Sequence, residues 1–578
     1  MKKIARLLAV LLVFSLLGGC GGKATSDVSA EEASQTATAS STATAPTEAA
    51  AASVEETSEA AEPEVSVEEP EEIAYFPLEE TKSFTYWFSY PPMFDGFADG
   101  PMDYLMYTES QKRLNVEIEW NAVSILAANE QFMLMTASND YADCMMNFTG
   151  LYSGGIDEAI ENEIILDLTE LIETCAPDYN AQRTSSEVRE KSSLTSSGAQ
   201  GVMFGFNSVE GRTPATGPVI RQDWLDKLNL DAPQTIDEYH DVLTAFQQKL
   251  GVASPYGLCS DGVNAPGHLT AAYGVVAPTN HDTNGYAVVD GELQFGPAQD
   301  GFRDYLTTMH QWYEEGLISN DFTADNDSAA SGIVSNDRIA NNEIGIFTAN
   351  VKNFDNYLDM ITEENAALQG IEWGRLSTSD MLHVGAELDT AAANMGISVS
   401  TQAEDPELIV RYFNYFFTEE GDILANYGVE GLSFEYNDQG VPEYTDLVLN
   451  NPDGMSLDVA MCLFGGGSTS GPYVVDHSKY AQIYSEVQHQ AGESWIANND
   501  GAWNLPNSLT AMMSAEESSE FNGIYNEILT VYQENVLKFI VGDRDLSEFP
   551  DYVAQMEAMG LEDCTRIAQK AYDRYMSK

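Results

Sequence analysis

The sequence predicts an α/β fold, and three observations support this prediction. From about residue 78 to residue 578, segments rich in β-branched and aromatic residues alternate with segments whose apolar residues recur at helical spacing. Apolar residues make up 43% of the 578-residue chain and aromatic residues 10%, which is enough for a large core. No internal repeat is visible. Such long alternation favours an α/β architecture, in which ligands bind at the carboxyl ends of strands.

The first residues of the chain are typical of a secretory signal peptide. A basic start precedes an apolar run from Leu7 to Leu17, which is too short to span a bilayer. The run ends in Leu17-Gly18-Gly19-Cys20, which resembles a bacterial lipobox, in which the Cys is lipidated and becomes the new N-terminus. We therefore expect residues 1–19 to be a signal peptide and Cys20 to be the lipidation site. An ordinary signal peptide that contains a Cys is the alternative.

Residues 20–77 are predicted to be a disordered acidic tether behind the lipidated Cys. From Lys23 to about Glu72 the segment consists mainly of Ala, Ser, Thr, Glu and Pro. It has too little apolar surface to offset the entropy of ordering, and its acidic residues repel one another and extend it. A glycosylated Ser/Thr stalk is the alternative, and it would serve the same mechanical purpose.

The charge balance excludes one class of partner. The chain carries 26 Lys and Arg against 92 Asp and Glu, for a formal net charge of −66. Nucleic acids are held through Lys and Arg contacts to phosphate, so a chain this anionic is not expected to bind them.

The cysteines other than Cys20 do not form a recognisable redox or metal motif. An odd number without a C-x-x-C pair argues against a zinc ribbon, a thioredoxin-type site or a complete disulfide framework. We expect small core residues, with one or two disulfide bridges left open. The five cysteines are Cys144, Cys175, Cys259, Cys462 and Cys564.

The globular part begins with a predicted β-α-β unit. Phe84–Tyr90 is rich in β-forming residues, and Val116, Ile118 and Trp120 alternate with acids in a strand with one wet face. A segment of helix length separates the two strands.

Three amphipathic helices follow. The first starts with a capping box from Thr235 to Glu238. A second apolar stripe ends at Gly316, and a third helix starts at Asp405-Pro406 and runs up to Gly421. Their predicted core residues are Ile236, Tyr239, Val242, Leu243 and Phe246, then Phe302, Tyr305, Leu306, Met309 and Tyr313, then Leu408, Ile409, Tyr412, Phe413 and Phe416.

The sequence contains none of the common catalytic motifs. The chain has no P-loop, dinucleotide fingerprint, H-E-x-x-H or G-x-S-x-G sequence, and its seven His are scattered singly. Asp325-Asn326-Asp327 suggests calcium, but the segment lacks the Gly and terminal Glu of an EF-hand loop, so a solvated loop is favoured. We therefore expect no enzyme activity, no cofactor and no metal.

Aromatic residues beside polar residues in turn-rich segments indicate a sugar-binding cleft. Pyranose faces stack on Trp and Tyr, while sugar hydroxyls need polar partners. For any one of these aromatics, core packing is the alternative. Trp224 would suit a buried anchor, and we interpret Trp120 and Trp312 as structural. The candidate ligand-binding residues are Tyr90, Asn147, Tyr152, Arg221, Asp223, His268, Tyr273 and Trp503.

An ordered set of segments over residues 80–578 resembles the extracellular solute-binding lipoproteins of bacterial ABC importers. Within this family, the chain resembles the oligosaccharide-binding branch, which is similar to the lipoproteins of complex-polysaccharide importers. The set comprises Arg221-Gln-Asp-Trp-Leu-Asp-Lys-Leu-Asn-Leu, Pro233-Gln-Thr-Ile-Asp-Glu-Tyr, Phe295-Gly-Pro through Tyr313-Glu-Glu-Gly-Leu-Ile, Met395-Gly-Ile-Ser with Asp405-Pro-Glu-Leu, Leu424-Ala-Asn-Tyr-Gly-Val-Glu-Gly, and Lys538-Phe-Ile-Val-Gly with Ala571-Tyr-Asp-Arg-Tyr.

The resemblance implies a two-lobed periplasmic-binding-protein-like fold of type II, with a hinge of two or three crossings and a ligand cleft between the lobes. By analogy, residues 78–205 and 341–425 form lobe 1, and residues 206–340 and 426–578 form lobe 2. Trp503 is similar in position to a sugar-stacking aromatic of maltose-type binding proteins.

The implied function is capture of an extracellular oligosaccharide and its delivery to the permease subunits of an ABC importer, by a monomer anchored through lipid on the extracellular face of the cell membrane. A peptide-binding importer component, a ligand-presenting sensory lipoprotein and a secreted glycan-degrading enzyme remain as alternatives.

Overall fold

The computed structural model describes residues 75–577, with gaps at 92–93, 95, 153, 187–188, 191–192, 194–201, 212–215, 260–268, 279–283, 290, 325–335, 352–353, 372–388, 468–470 and 497–511. The predictions for the signal peptide, for Cys20, for most of the tether and for the acidic segment 325–327 lie outside these residues.

The described strands form four sheets. The largest has six strands in the order β13-β4-β10-β3-β1-β2, a three-stranded sheet has the order β8-β5-β9, and β6-β7 and β11-β12 are two-stranded. The strands are β1 Lys82–Tyr90, β2 Val116–Ser124, β3 Cys144–Met146, β4 Gly205–Gly211, β5 Thr216–Arg221, β6 Tyr286–Val289, β7 Glu292–Phe295, β8 Ile346–Asn350, β9 Leu368–Gly370, β10 Asp389–Val399, β11 Phe434–Tyr436, β12 Pro442–Tyr444 and β13 Val474–Val475.

The helices cover the faces of these sheets. They are α1 Leu105–Leu114, α2 Ala128–Ser138, α3 Phe148–Leu151, α4 Gly155–Glu161, α5 Thr169–Cys175, α6 Pro177–Arg183, α7 Gln222–Leu228, α8 Ile236–Ala245, α9 Asp300–Glu314, α10 Asn336–Ala340, α11 Phe354–Met360, α12 Pro406–Asn414, α13 Glu419–Tyr427, α14 Asp446–Leu449, α15 Leu457–Phe464, α16 Glu486–Ile496, α17 Ala515–Val541, α18 Phe549–Ala558 and α19 Leu561–Ser577.

The six-stranded sheet is the centre of the first lobe. Its strands β1, β2 and β3 are parallel, as the β-α-β prediction requires, and α1 lies between β1 and β2 in the chain. β10 is antiparallel to both β3 and β4, so β4 runs in the same direction as β1, and β13 is parallel to β4. The carboxyl ends of β1, β2, β3, β4 and β13 therefore lie along one edge of this sheet.

The three-stranded sheet is the centre of the second lobe. β5 is antiparallel to both of its neighbours, and helices α8, α9, α17 and α19 contribute to one continuous core beside it. The capping box at Thr235 is present, and Trp312 is buried in this core. The helical spacing in the sequence thus predicted most of the buried faces of α8 and α9, but Ile236 and Tyr313 are half-buried and Phe246 lies one residue beyond α8.

The third predicted helix is interrupted in the structure. α12 ends at Asn414, and a 3-10 turn at Tyr415–Phe417 follows. The hydroxyl of Thr418 then accepts a hydrogen bond from the backbone N–H of Gly421 and caps α13. The prediction of one helix up to Gly421 was wrong, because the Thr cap begins a new helix in place of the old one.

Strand pairing also differs from the expected division into lobes. β8 was assigned to lobe 1, but it pairs with β5 in the sheet of the second lobe. β13 was assigned to lobe 2, but it pairs with β4 in the first sheet, and the Tyr107 hydroxyl on α1 donates to the Gly471 carbonyl at 2.8 Å. These pairings join residues far apart in the chain, so local patterns do not encode them.

The five cysteines of the described residues are free and buried, so the open possibility of disulfide bridges among them is not realised in this structure. Within the same residues, no helix is both long enough and apolar enough to cross a membrane.

Candidate functional site

The two sheets are joined by three passages of the chain, and all of them start or end at the same edge of the first sheet. The chain leaves β4 after Gly211 and enters β5 at Thr216. It returns from β9 to β10, whose first residue, Asp389, pairs with Gly211. The chain leaves the first sheet for the second time after β13, which makes the third passage, and α16 then packs on β9. The carboxyl edge of the first sheet therefore faces the hinge.

The hinge end of the second sheet is defined by the same connections. Thr216, the first residue of β5, pairs with Asn350, the last residue of β8. Asn350 and Thr348 are both partly exposed on this strand. These polar residues and the carboxyl edge of the first sheet form the candidate site.

Three of the predicted site residues lie at that edge. Tyr90 is the last residue of β1 and is half-buried, and its register partner on β2 is Ser124. Asn147 directly follows β3, is exposed and has a left-handed backbone with φ of 56°. Its N–H donates to the Gly396 carbonyl at 2.8 Å, which fixes the turn to the neighbouring strand β10.

Tyr152 ends the short helix that follows Asn147. Its ring stacks on Phe148 with centroids 5.2 Å apart, and its hydroxyl donates to Glu158 at 3.2 Å. Partial burial, together with the Glu158 carboxylate, raises the pKa of the Tyr152 phenol. One face of this ring is thus supported by protein, as a stacking platform requires.

The structure adds exposed apolar residues that sequence reasoning missed. Phe97 follows β1, and Ile125 and Leu126 follow β2 directly. Their exposed fractions are 42%, 53% and 71%. Exposed apolar residues grouped at one edge favour a contact surface. In the sequence they resembled core residues, and the one usable signal was the position of Ile125 and Leu126 just after a strand.

Arg221 and Asp223 lie elsewhere and are satisfied by protein groups. Arg221 ends β5, five residues beyond Thr216, so at about 3.3 Å per residue it is on the order of 17 Å from the hinge end. Its guanidinium is 1% exposed and binds the Asp223 carboxylate at 2.7 Å and the Glu363 carboxylate at 2.9 Å. Asn342 accepts a further hydrogen bond at 2.7 Å.

Trp224 completes this cluster. The Arg221 guanidinium lies over its ring at 4.3 Å, and its indole N–H donates to Glu363 at 3.1 Å. The hydrogen bond from Trp224 and the charge of Arg221 hold the pKa of Glu363 below its ordinary value. The expectation of a buried anchor at Trp224 agrees with its exposure of 3%.

Tyr273 packs in the second lobe, with its ring centroid 5.8 Å from that of Tyr305 on α9. Burial raises the pKa of its phenol to about 12. The remaining candidates, His268 and Trp503, lie outside the described residues.

Solved structures of other proteins share this fold. A solved extracellular solute-binding protein from Bifidobacterium longum subsp. infantis superposes with a TM-score of 0.67 and 16% identity, covering 86% of this chain and 98% of that one. The chain has the two-lobed fold of a solute-binding protein.

The curated relatives of this chain are distant from it in sequence. Lipoprotein LipO of Bacillus subtilis is 23% identical over 397 residues, 66% of this chain and 73% of its own length. The fructooligosaccharide ABC transporter substrate-binding protein FusA of Streptococcus pneumoniae is 22% identical over 530 residues, 87% of this chain and 92% of its own. No family model matches the chain.

The hinge edge of this fold combines two kinds of chemical group. Aromatic and aliphatic surface lies beside amide and hydroxyl groups at the ends of adjacent strands. Among the described residues, no group of three or more His, Cys, Asp or Glu could hold a metal ion.

Proposed function

We propose that this protein is the substrate-binding component of an ABC importer, which captures an extracellular oligosaccharide and delivers it to a membrane permease. The similarity to a fructooligosaccharide-binding importer protein, which extends over 87% of the chain, carries this proposal. The solute-binding fold and the aromatic residues at the hinge edge support it, because a sugar needs flat apolar surface beside hydrogen-bonding groups.

The proposed ligand-binding surface has one side on each lobe. Tyr90, Asn147 and Tyr152 form it on the first lobe, together with the exposed apolar residues after β1 and β2. We assign Asn350, at the hinge end of β8, to its second-lobe side. His268 and Trp503 stay in the proposal on sequence grounds. We assign Arg221, Asp223 and Tyr273 to structural roles, because each is already packed against protein partners.

The proposed lobe division follows the strand pairing: residues 78–211 and 389–482 form the first lobe, and residues 216–371 and 483–577 the second. The proposed location is the extracellular face of the cell membrane, with the lipid on Cys20 and the acidic segment behind it as a tether. Two acyl chains hold a protein stably where one is marginal. We propose a monomer that carries no catalytic activity.

A thermal-shift screen against oligosaccharides and peptides tests the ligand class. A ligand that binds only the folded state stabilises it by RT ln(1 + [L]/Kd), about 2.7 kcal/mol when its concentration is a hundred times Kd. We expect the melting temperature to rise with one class of oligosaccharide and to stay constant with peptides. A rise with peptides alone would contradict the proposal. Chromatography of the stabilising glycan after incubation should show it intact, and cleaved products would indicate an enzyme.

A further inference from the structure

The chain segment 474–496 connects the two lobes at the third crossing. It consists of β13, the 3-10 helix His477–Gln482 and α16, and we call it the strap. Tyr480 packs against the first-lobe cluster around Tyr427, and Tyr484 packs against the cluster around Trp495 on the second-lobe sheet. The two tyrosine rings stack with centroids 5.3 Å apart. The crossing point therefore lies between these residues.

The first-lobe end of the strap is held by a buried polar network centred on Asn426 of α13. The Asn426 side-chain amide donates to the Val474 carbonyl at 2.8 Å and to the Asp422 carboxylate at 3.0 Å. Its side-chain oxygen accepts from the Asp476 N–H at 3.0 Å and from the Lys479 ammonium at 3.2 Å. One side chain thus binds three residues of the strap.

The second-lobe end of the strap is held by three hydrogen bonds to backbone groups of the second sheet and its flanking residue. Gln488 donates to the Val351 carbonyl at 2.8 Å, and Gln490 accepts from the Gly370 N–H at 3.2 Å. The Trp495 indole donates to the Pro218 carbonyl at 3.1 Å. The strap is therefore hydrogen-bonded to both lobes.

A buried ammonium beside two half-buried carboxylates makes the first-lobe end unusual. Lys479 is fully buried and also donates to the Gly466 carbonyl at 2.9 Å. Asp422 and Asp476 face it from α13 and from the strap. The Asp476 carboxylate accepts from the Tyr427 hydroxyl at 2.7 Å and from the Ser478 hydroxyl at 2.9 Å.

The two carboxylates differ in their tendency to ionise. Burial, and then the Asp476 charge, raise the pKa of Asp422 to about 7, against the opposing effect of Lys479. Burial raises the pKa of Asp476 too, but the hydrogen bonds from Tyr427 and Ser478 outweigh it and hold that pKa below its ordinary value. Burial raises the pKa of the neighbouring Tyr427 and Tyr444 phenols, so both stay neutral.

We propose that the strap couples lobe movement to the charge state of Asp422. When Asp422 is protonated, the charges of Asp476 and Lys479 cancel and the network holds β13 tightly. When Asp422 is ionised, the network carries one uncompensated negative charge on half-buried carboxylates, which weakens it. The hinge is then stiff below neutral pH and loose above it. This inference goes beyond the proposed function and does not depend on the ligand.

Hydrogen exchange of the unliganded protein at pH 6 and pH 8, corrected for the intrinsic pH effect, tests the proposal. We expect the peptides that cover residues 474–482, and the amide of Gly370, to lose at least threefold protection at pH 8. Asp422→Asn is nearly isosteric and mimics the protonated acid, so it should keep the pH 6 protection at both pH values.

Asp446→Asn is the matched control. Asp446 also accepts from an Asn one helical turn later, Asn450, at 2.9 Å, but this pair is exposed. The control should retain the pH dependence of the wild type. Equal protection of the wild-type strap at the two pH values, or an unchanged pH dependence in Asp422→Asn, would overturn the proposal.

A distance measurement separates coupling between the lobes from local loosening. Spin labels at Glu173→Cys on α5 and Glu557→Cys on α18 occupy exposed positions in different lobes, in a Cys20→Ala background, and the five other cysteines are buried. We expect a broader distance distribution at pH 8 than at pH 6, and no change in Asp422→Asn. A pH-independent distribution in the wild type would mean that the strap does not couple the lobes.

Discussion

At the residue scale, the cluster around Arg221 shows how a charged side chain serves the fold. A buried guanidinium is tolerated when carboxylates and hydrogen bonds compensate its lost hydration. Asp223 and Glu363 supply the carboxylates, and the Trp224 ring covers one face of the guanidinium. Glu363 is 142 positions away in the sequence, so the cluster ties α7 to a distant loop.

Trp224→Ala is expected to cost stability and to leave ligand affinity unchanged. The ring packs edge-on against Phe246 with centroids 5.2 Å apart, and truncating a buried Trp costs about 3–5 kcal/mol. Chemical denaturation and calorimetry of the same variant provide the two readouts. A large loss of affinity at nearly wild-type stability would return Trp224 to the list of ligand contacts.

Tyr152→Ala is expected to show the opposite pattern. The ring is half-buried and supported on one face by Phe148, so its removal should take away a stacking surface at little cost to the core. Loss of one true platform should lower affinity roughly tenfold to a hundredfold, or about 1–3 kcal/mol. Tyr273→Ala is the comparison, and its main effect should be a lower melting temperature and not a lower glycan affinity. Unchanged glycan affinity in Tyr152→Ala would remove this ring from the site.

At the element scale, the contact between α16 and the second sheet depends on a glycine in β5. A Cβ atom at Gly217 would clash with the Trp495 ring. The indole therefore occupies the space that a side chain on β5 would need, and it covers the strand where the chain enters the second lobe.

Gly217→Ala should destabilise the protein by about 1–3 kcal/mol, because the buried ring has little room to move. Gly492→Ala lies in α16 itself, with no atom within 4 Å of the new Cβ. It should stabilise the protein by about 0.5–1 kcal/mol, since Gly in a helix costs that much relative to Ala. Denaturant midpoints of the two variants give the test. A neutral Gly217→Ala would show that Trp495 does not pack tightly on β5.

At the scale of the whole molecule, the proposed anchor and tether determine where the protein acts. A flexible segment of 50 residues has a reach of about 5–6 Å times the square root of its length, on the order of 40 Å, and charge repulsion extends it further. Such a tether would hold the lobes near a permease without restricting their rotation.

Deletion of residues 24–72 should leave ligand affinity in solution unchanged and should impair uptake by cells. Calorimetry measures the affinity, and uptake of labelled glycan measures the delivery.

Cys20→Ala should release the protein into the medium, which fractionation of cultures measures. If the Cys20→Ala protein stays with the membrane as fully as the wild type, another part of the chain provides the anchor.

The sequence by itself determined the features that depend on neighbouring residues. The capping box at Thr235, the buried face of α9 and the β-α-β start follow from spacings of a few residues, and the structure has all three. Local spacing decides them because helices and strands have fixed periods. The resemblance to solute-binding lipoproteins is likewise carried by an ordered set of short segments.

Only the tertiary structure decided which strands share a sheet and which polar residues are already satisfied. Strand β8 joins β5 across more than a hundred residues of chain, and the partner Glu363 of Arg221 is equally distant in sequence. The sequence shows that Arg221 is polar, whereas its burial and partners depend on the path of the whole chain. The same holds for Asp422, whose pKa is raised to about 7 by burial and by a carboxylate on another element.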